Sequence, residues 1–338
     1  MSRRTVLLGH GAGGRMTAEL VESVLLPHLG NPALAALDDA AVLPELPPGR
    51  PAMTTDAFVV SPPVFPGGDV GSLSVTGTLN DLVMTGARPL WLSWALVLEE
   101  GTDLDLVERC AVSAGRIARA TGTAIVAGDT KVVPRGAGDG IYAVTAGLGV
   151  VPPGRQVSDT TVRPGDAVLV TGPVGDHGAT IMALRHGLET GDLASDCAPL
   201  ADLLEPLWDA GIAIRALHDP TRGGLATVTA EVAERTGLQM VLEETAIPVR
   251  GAVQAVCELL GLDPLELACE GRAVLWVAAE DAGRAVDLLR ANPQGSGAAV
   301  IGAAVERPAG GSPVVLRSRS GGLRPLDRLS GSGLPRIC

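Results

Sequence analysis

Twice along this 338-residue chain, apolar residues spaced for one face of a helix give way to apolar residues alternating as in a strand, and segments bearing proline and glycine separate the two series. Helix faces repeat every 3.6 residues and strand faces every second residue, so each series predicts a mixed α/β layer. In the first, GSLSVTGTLNDLVMTGARP sets Val75, Leu79, Leu82 and Gly86 on one face. Beside them Ser74, Thr78, Asp81 and Thr85 form a small polar stripe that could admit a ligand. TDLDLVERCAVSAGRIARATG predicts a second helix, with Thr102 and Asp105 as its capping box and Val107, Cys110, Ala111, Ala114 and Ile117 facing inward. The runs TAIVAG, IYAVTAGLGVV and AVLVTG predict strands, and PPGR and RPGD mark a boundary near residues 152–165. Beyond it, DPTRGGLATVTAEVAERTG and AGRAVDLLRAN predict helices, and QMVLEE and AVLWVAA predict strands. The domains expected are 1–155 and 156–310, with a mobile, polar, glycine-punctuated tail over 311–338.

With 46% apolar residues, the chain can bury two cores of that size. Its 26 basic residues against 38 acidic ones leave a net charge of -12, and no local Lys/Arg cluster opposes that field. Nucleic acid and anionic membrane surfaces are therefore poor partners. PLWLSWALVL is too short to span a bilayer, and the apolar core of MSRRTVLLGHGAGG is too short for an export signal, so a cytoplasmic protein is expected. The five cysteines are odd in number, widely spaced and lack a C-x-x-C pair, which predicts reduced thiols.

Aspartates recur where apolar runs end: Asp38 and Asp39, Asp56, Asp81, Asp129 and Asp219. Each taken singly reads more readily as a helix cap or turn residue than as a ligand. Their company includes two glycine-rich loops, GHGAGG (9–14) and DPTRGG (219–224), whose N–H groups can face an anion, the second opening a helix. Carboxylates without histidines suit Mg²⁺, which protein carboxylates and nucleotide phosphates commonly share. Neither loop is a Walker A or Rossmann motif, so another ATP-binding architecture is required. Lys131 and Glu270 read by themselves as ordinary surface charges.

TTDAFVVSPPVFPGGDVG, GTLNDLVMTGARPL, VAGDTKVVPRG, GPVGDHG, DPTRGGLATV and the closing LPRIC together resemble the HypE hydrogenase-maturation family. That family falls within the superfamily of aminoimidazole ribonucleotide synthetase and selenophosphate synthetase, and the likeness runs in order from about His10 to Cys338. It implies a two-domain PurM-like α/β (mixed α+β) fold, with an N-terminal ATP-binding and dimerising domain and a C-terminal α/β domain. It also implies that a carbamoyltransferase, HypF, carbamoylates Cys338. ATP-dependent dehydration would then make the thiocyanate, and a HypC–HypD complex would receive the cyano group for a [NiFe] hydrogenase. By family position Asp39, Asp56, Asp81, Asp129 and Asp219 would contact Mg²⁺ and ATP. Gly11, Gly13, Gly14, Thr221, Gly223 and Gly224 would hold the nucleotide. Glu270 would accept protons and Lys131 would stabilise charge beside Cys338, while Leu334, Pro335 and Ile337 would settle the inserted end. Val144, Ala146 and Leu148 are expected at a homodimer interface. Two departures stand out: Cys269 where the family often has Asn, and Ala12 where it often has Ser. Cys269 is thus a second thiol to watch near the site. A different superfamily activity, on selenide or a small-molecule phosphoryl acceptor, would ignore Cys338, and a docking module would bind no ATP.

Overall fold

A computed structural model describes residues 4–328 and 336–338. The chain divides into two compact units, one of Met1–Val83, Ala87–Pro153 and Cys338, the other of Met84–Gly86 and Gly154–Ile337.

In the first unit, short helices α1 (Arg15–Leu20), α2 (Leu26–Leu29) and α3 (Pro32–Ala35) precede strand β1 (Arg50–Phe58). The two-residue strands β2 (Val64–Phe65) and β3 (Gly68–Asp69) lead into helix α4 (Val70–Met84). Strand β4 (Arg88–Glu99), helix α5 (Leu104–Ala120) and strands β5 (Ala124–Val133) and β6 (Ile141–Val151) complete it. Four strands form a sheet in the order β1-β6-β4-β5, with only β4 and β5 parallel to one another. That parallel pair is joined by α5, as a crossover requires. The inward set read for α5 is buried, Cys110 included. Its cap differs: Asp103, not Thr102, accepts from the Asp105 N–H at 3.0 Å, while the Thr102 hydroxyl donates to the Gly140 carbonyl.

Helix α4 also departs from its amphipathic reading, because it is enclosed on nearly every side. Ser74 Oγ accepts the Trp94 indole N–H at 2.8 Å, and the Thr78 and Thr145 hydroxyls lie 2.5 Å apart. The small polar residues thus satisfy buried neighbours instead of lining a ligand channel, and only Asp81 and Thr85 at the helix end reach solvent.

The second unit runs through β7 (Ala167–Val170), α6 (Asp176–Arg185), α7 (Ala201–Asp209), β8 (Ile214–His218), α8 (Gly224–Thr236), β9 (Gln239–Glu243), α9 (Gly251–Leu260), β10 (Val274–Val277), α10 (Ala282–Arg290), β11 (Ala299–Val305), β12 (Val314–Arg317) and β13 (Leu323–Pro325). Seven strands form one sheet in the order β13-β12-β9-β11-β7-β10-β8. The apolar runs of β7 and β10 are buried along their whole length, as central strands demand. Trp276, Met240, Leu242 and Ile301 pack with Leu225, Ala226 and Ala233 of α8 into one core.

The expected mobile tail needs correction here. Residues 314–325 supply β12 and β13, which extend the sheet beyond β9, and Leu316 and Leu326 are buried. The alternation of Val314 and Leu316 carried that strand signal, and the surrounding Ser, Gly and Arg obscured it.

Candidate functional site

In the first unit, a cavity of about 280 Å³ is lined by Thr17, Asp38, Asp39, Asp129 and Thr130, with Leu25, Leu26, Leu96 and Ile125 as apolar walls. The crossover places Asp129 there, since β5 lies parallel to β4 at the sheet edge. Asp129 accepts from the Lys131 ammonium at 2.9 Å and from the Thr130 N–H at 2.8 Å, and Lys131 holds its carboxyl below the usual range. The glycine loop lies against the same strand. A Cβ on Gly11 would sit 2.5 Å from the backbone nitrogen of Val132, so a larger residue there would push loop and strand apart. Of the loop amides, Gly13 N–H is engaged by Thr17 Oγ1 at 3.0 Å, and Gly14 caps α1.

Asp56 and Asp81 form a second acidic pair in this unit. Thr54 donates its hydroxyl to Asp81 Oδ2 at 2.8 Å. Burial nevertheless raises the Asp81 carboxyl, and the charge of Asp56 adds to the rise. Two carboxylates in that relation would be relieved by a hard cation with oxygen ligands, so the donor set fits Mg²⁺. Among the described residues, however, no three acidic, histidine or cysteine side chains converge closely enough to hold a metal ion. Of the five aspartates read from the sequence, Asp39, Asp56, Asp81 and Asp129 belong to the first unit and Asp219 to the second.

In the second unit, two distant motifs meet. Gly223 and Gly224, both at positive φ (79° and 59°), turn the Asp219–Thr221 loop into α8. A Cβ on Gly224 would lie 2.6 Å from the carbonyls of Leu265 and Leu267. The Cys269 N–H donates to the Pro220 carbonyl at 2.9 Å, which sets the Glu270 loop beside the Asp219 loop. Glu270 is 3% exposed, contrary to its reading as a surface charge. Asp196, which nothing in ASDCAPL distinguishes, accepts the N–H groups of Glu270 and Gly271 at 3.0 and 3.3 Å and faces Arg272 at 3.6 Å. Cys269 is inaccessible: burial holds its thiol well above the usual range, and its sulfur accepts the Gly175 N–H at 3.1 Å. The sulfur therefore does what an amide oxygen could do in its place. No disulfide joins the five cysteines.

The residues just before Cys338 are seated in this unit. Ile337 is 2% exposed, its carbonyl lies 2.6 Å from His177 Nε2, and Arg185 donates to the Arg336 carbonyl. His177 lies in the GPVGDHG motif, whose local spacing assigns it no role. Leu334 and Pro335 lie outside the described residues.

Models of the AIR synthase related protein N-terminal and C-terminal domains match residues 37–151 and 163–314. Two units of this construction and order define an AIR synthase-related protein. The chain belongs, within that class, to the HypE family. It is 49% identical to the carbamoyl dehydratase HypE of Rhodobacter capsulatus over 98% of both chains. It matches a crystal structure of the hydrogenase maturation protein HypE in complex with ATP with a TM-score of 0.94 and 45% identity, over 99% of this chain and 100% of that one. A crystal structure of a HypE–HypF complex matches with a TM-score of 0.79 and 39% identity, over 92% of this chain and 99% of that one. No described helix is long and apolar enough to cross a membrane.

Proposed function

We propose that this chain is an ATP-dependent carbamoyl dehydratase that acts on its own Cys338. Its product would be the S-cyano group used in [NiFe] hydrogenase maturation. What supports this reading most is the seating of the residues before Cys338, because a thiol presented by a gripped segment suits a self-modified substrate better than a frayed one does.

Dehydration removes the amide oxygen and two protons from nitrogen as the C≡N bond forms. Hydroxide leaves poorly, so the oxygen must depart as phosphate after accepting the γ-phosphoryl group of ATP. Asp56 and Asp81 would hold Mg²⁺, with Asp39, Asp129 and Asp219 available to the nucleotide end. The ion would neutralise charge on the transferring phosphoryl group. Gly11, Gly13, Gly14, Thr221, Gly223 and Gly224 would shape the nucleotide seat. Glu270, buried and fixed from behind by Asp196, would take protons from the nitrogen. Lys131 would exchange Asp129 for a developing negative charge on the carbamoyl or phosphoryl oxygen. A dry environment matters, since water would intercept the activated intermediate.

HypF would supply the carbamoyl group and a HypC–HypD complex would accept the cyano group. Homodimerisation would use the outward face of β1 and β6. Met53 is 75% exposed there, and Val144, Ala146 and Leu148 point the same way opposite Ala57, Thr55 and Met53. Light scattering on the purified protein tests the dimer, and Val144→Asp should shift it toward monomer. The activity itself is tested by supplying HypF, carbamoyl phosphate and ATP and following thiocyanate formation. Wild type should form it and Glu270→Gln should stop at the carbamoyl adduct, whereas product from Glu270→Gln would remove Glu270 from the reaction.

A further inference from the structure

The last residues are held by their main chain rather than by their side chains alone, and the hydrogen bonding that does this has one consistent direction. The Ile337 carbonyl only accepts, so His177 Nε2 must carry the proton it donates across 2.6 Å. Burial keeps this ring below its ordinary pKa and neutral, which leaves Nδ1 bare. Nδ1 lies 2.8 Å from Ser195 Oγ, and that oxygen in turn accepts the Cys197 N–H at 3.1 Å. Ser195 therefore spends its hydroxyl proton on Nδ1 and fixes the tautomer.

Arg185, the last residue of α6, donates to the preceding carbonyl of Arg336. Arg336 itself stands at φ 56°, a conformation that a residue with a side chain adopts at a cost and keeps only where its surroundings hold it. The Ile337 side chain is buried. Two consecutive carbonyls, one left-handed residue and one apolar side chain thus make a specific seat on α6, and none of these contacts involves the sulfur of Cys338.

We propose that His177, oriented by Ser195 and assisted by Arg185, is a main-chain latch that positions Cys338 for its reaction and must release before that sulfur can be loaded. The positioning part rests on the carbamoyl dehydratase reading, whereas the latch stands on the geometry alone. Because the latch reads carbonyls, it grips the bare, carbamoylated and cyanated ends alike.

The test is the alkylation rate of Cys338 by iodoacetamide in the full-length protein without nucleotide, followed by peptide mass spectrometry. Mapping separates Cys338 from Cys197, the other partly accessible thiol. His177→Ala should speed labelling about tenfold, Ser195→Ala should speed it less, and His177→Gln, which retains an N–H donor, should fall between His177→Ala and wild type. With protein already carbamoylated, His177→Ala should also slow single-turnover dehydration while leaving the preceding loading step no slower. Wild-type labelling rates in both His177 variants, at native melting temperatures, would overturn the latch. Faster labelling with undiminished dehydration would overturn its positioning role. If wild-type protein failed to dehydrate at all, the functional reading would fall while the labelling comparison still decided the latch.

Discussion

A carboxylate that is 1% exposed and faces two amide N–H groups and a guanidinium has almost no conformational freedom, and Asp196 passes that rigidity to Glu270. Removing it leaves Arg272 as a buried cation without its carboxylate. Asp196→Ala should cost about 3–5 kcal/mol in denaturant unfolding, and Asp196→Asn should cost less while still slowing dehydration at unchanged ATP affinity. In the first unit, Gly11→Ala should lower both the melting temperature and nucleotide affinity, because the added carbon meets the backbone of β5. Cation affinity should depend on pH through Asp81. Its raised pKa means that the charged form is lost at a higher pH than for an ordinary aspartate. Mg²⁺-dependent ATP binding should therefore weaken as pH falls toward the upper carboxylate range, and isothermal titration of Asp81→Asn should show weak binding without that dependence. The aspartates were legible in the sequence because they end apolar runs. Asp196 and His177 were not, because their partners lie 74 and 160 residues away and no local spacing encodes them.

Helix α6 shows how an element can oppose its own dipole. Asp176 stands in its first turn, where a carboxylate is normally favoured, yet burial and then Asp196 push its pKa up to about 6 against the pull of Arg250 and Arg272. Between the ordinary value of 3.8 and about 6, the folded protein keeps a proton that the unfolded chain has released. Stability contributed by this group is thus greatest at low pH and falls as pH rises through that window, by at most about 1.4 kcal/mol per unit. Urea unfolding of wild type and Asp176→Asn across pH 4–6 should show a downward difference in slope that the variant lacks. Sequence periodicity served best for elements exposed on one side, such as α5, and for strands with unbroken apolar runs, such as β7. It misread α4, whose polar residues pair inside the fold, and it dissolved β12 and β13 into a tail. Truncation before residue 311 should therefore unfold the second unit by removing two sheet strands, whereas truncation after Arg328 should keep the sheet and lower its melting temperature less, through loss of the Ile337 seat.

The first unit sets Asp38, Asp39 and Asp129 around a cavity, and the second seats the residues before Cys338. A small-molecule kinase or a selenophosphate synthetase of the same class would have no use for that seat. Cys338→Ser separates these readings, since it should spare turnover on a diffusible acceptor and abolish dehydration. The decisive measurement is intact-peptide mass spectrometry of the Cys338 end after incubation with HypF, carbamoyl phosphate and ATP. One carbamoyl group should appear on Cys338, followed by loss of the mass of one water only where hydrolysable ATP is present. A carbamoyl adduct that persists unchanged with ATP, or a cyano group released by the Cys338→Ser protein, would contradict the account.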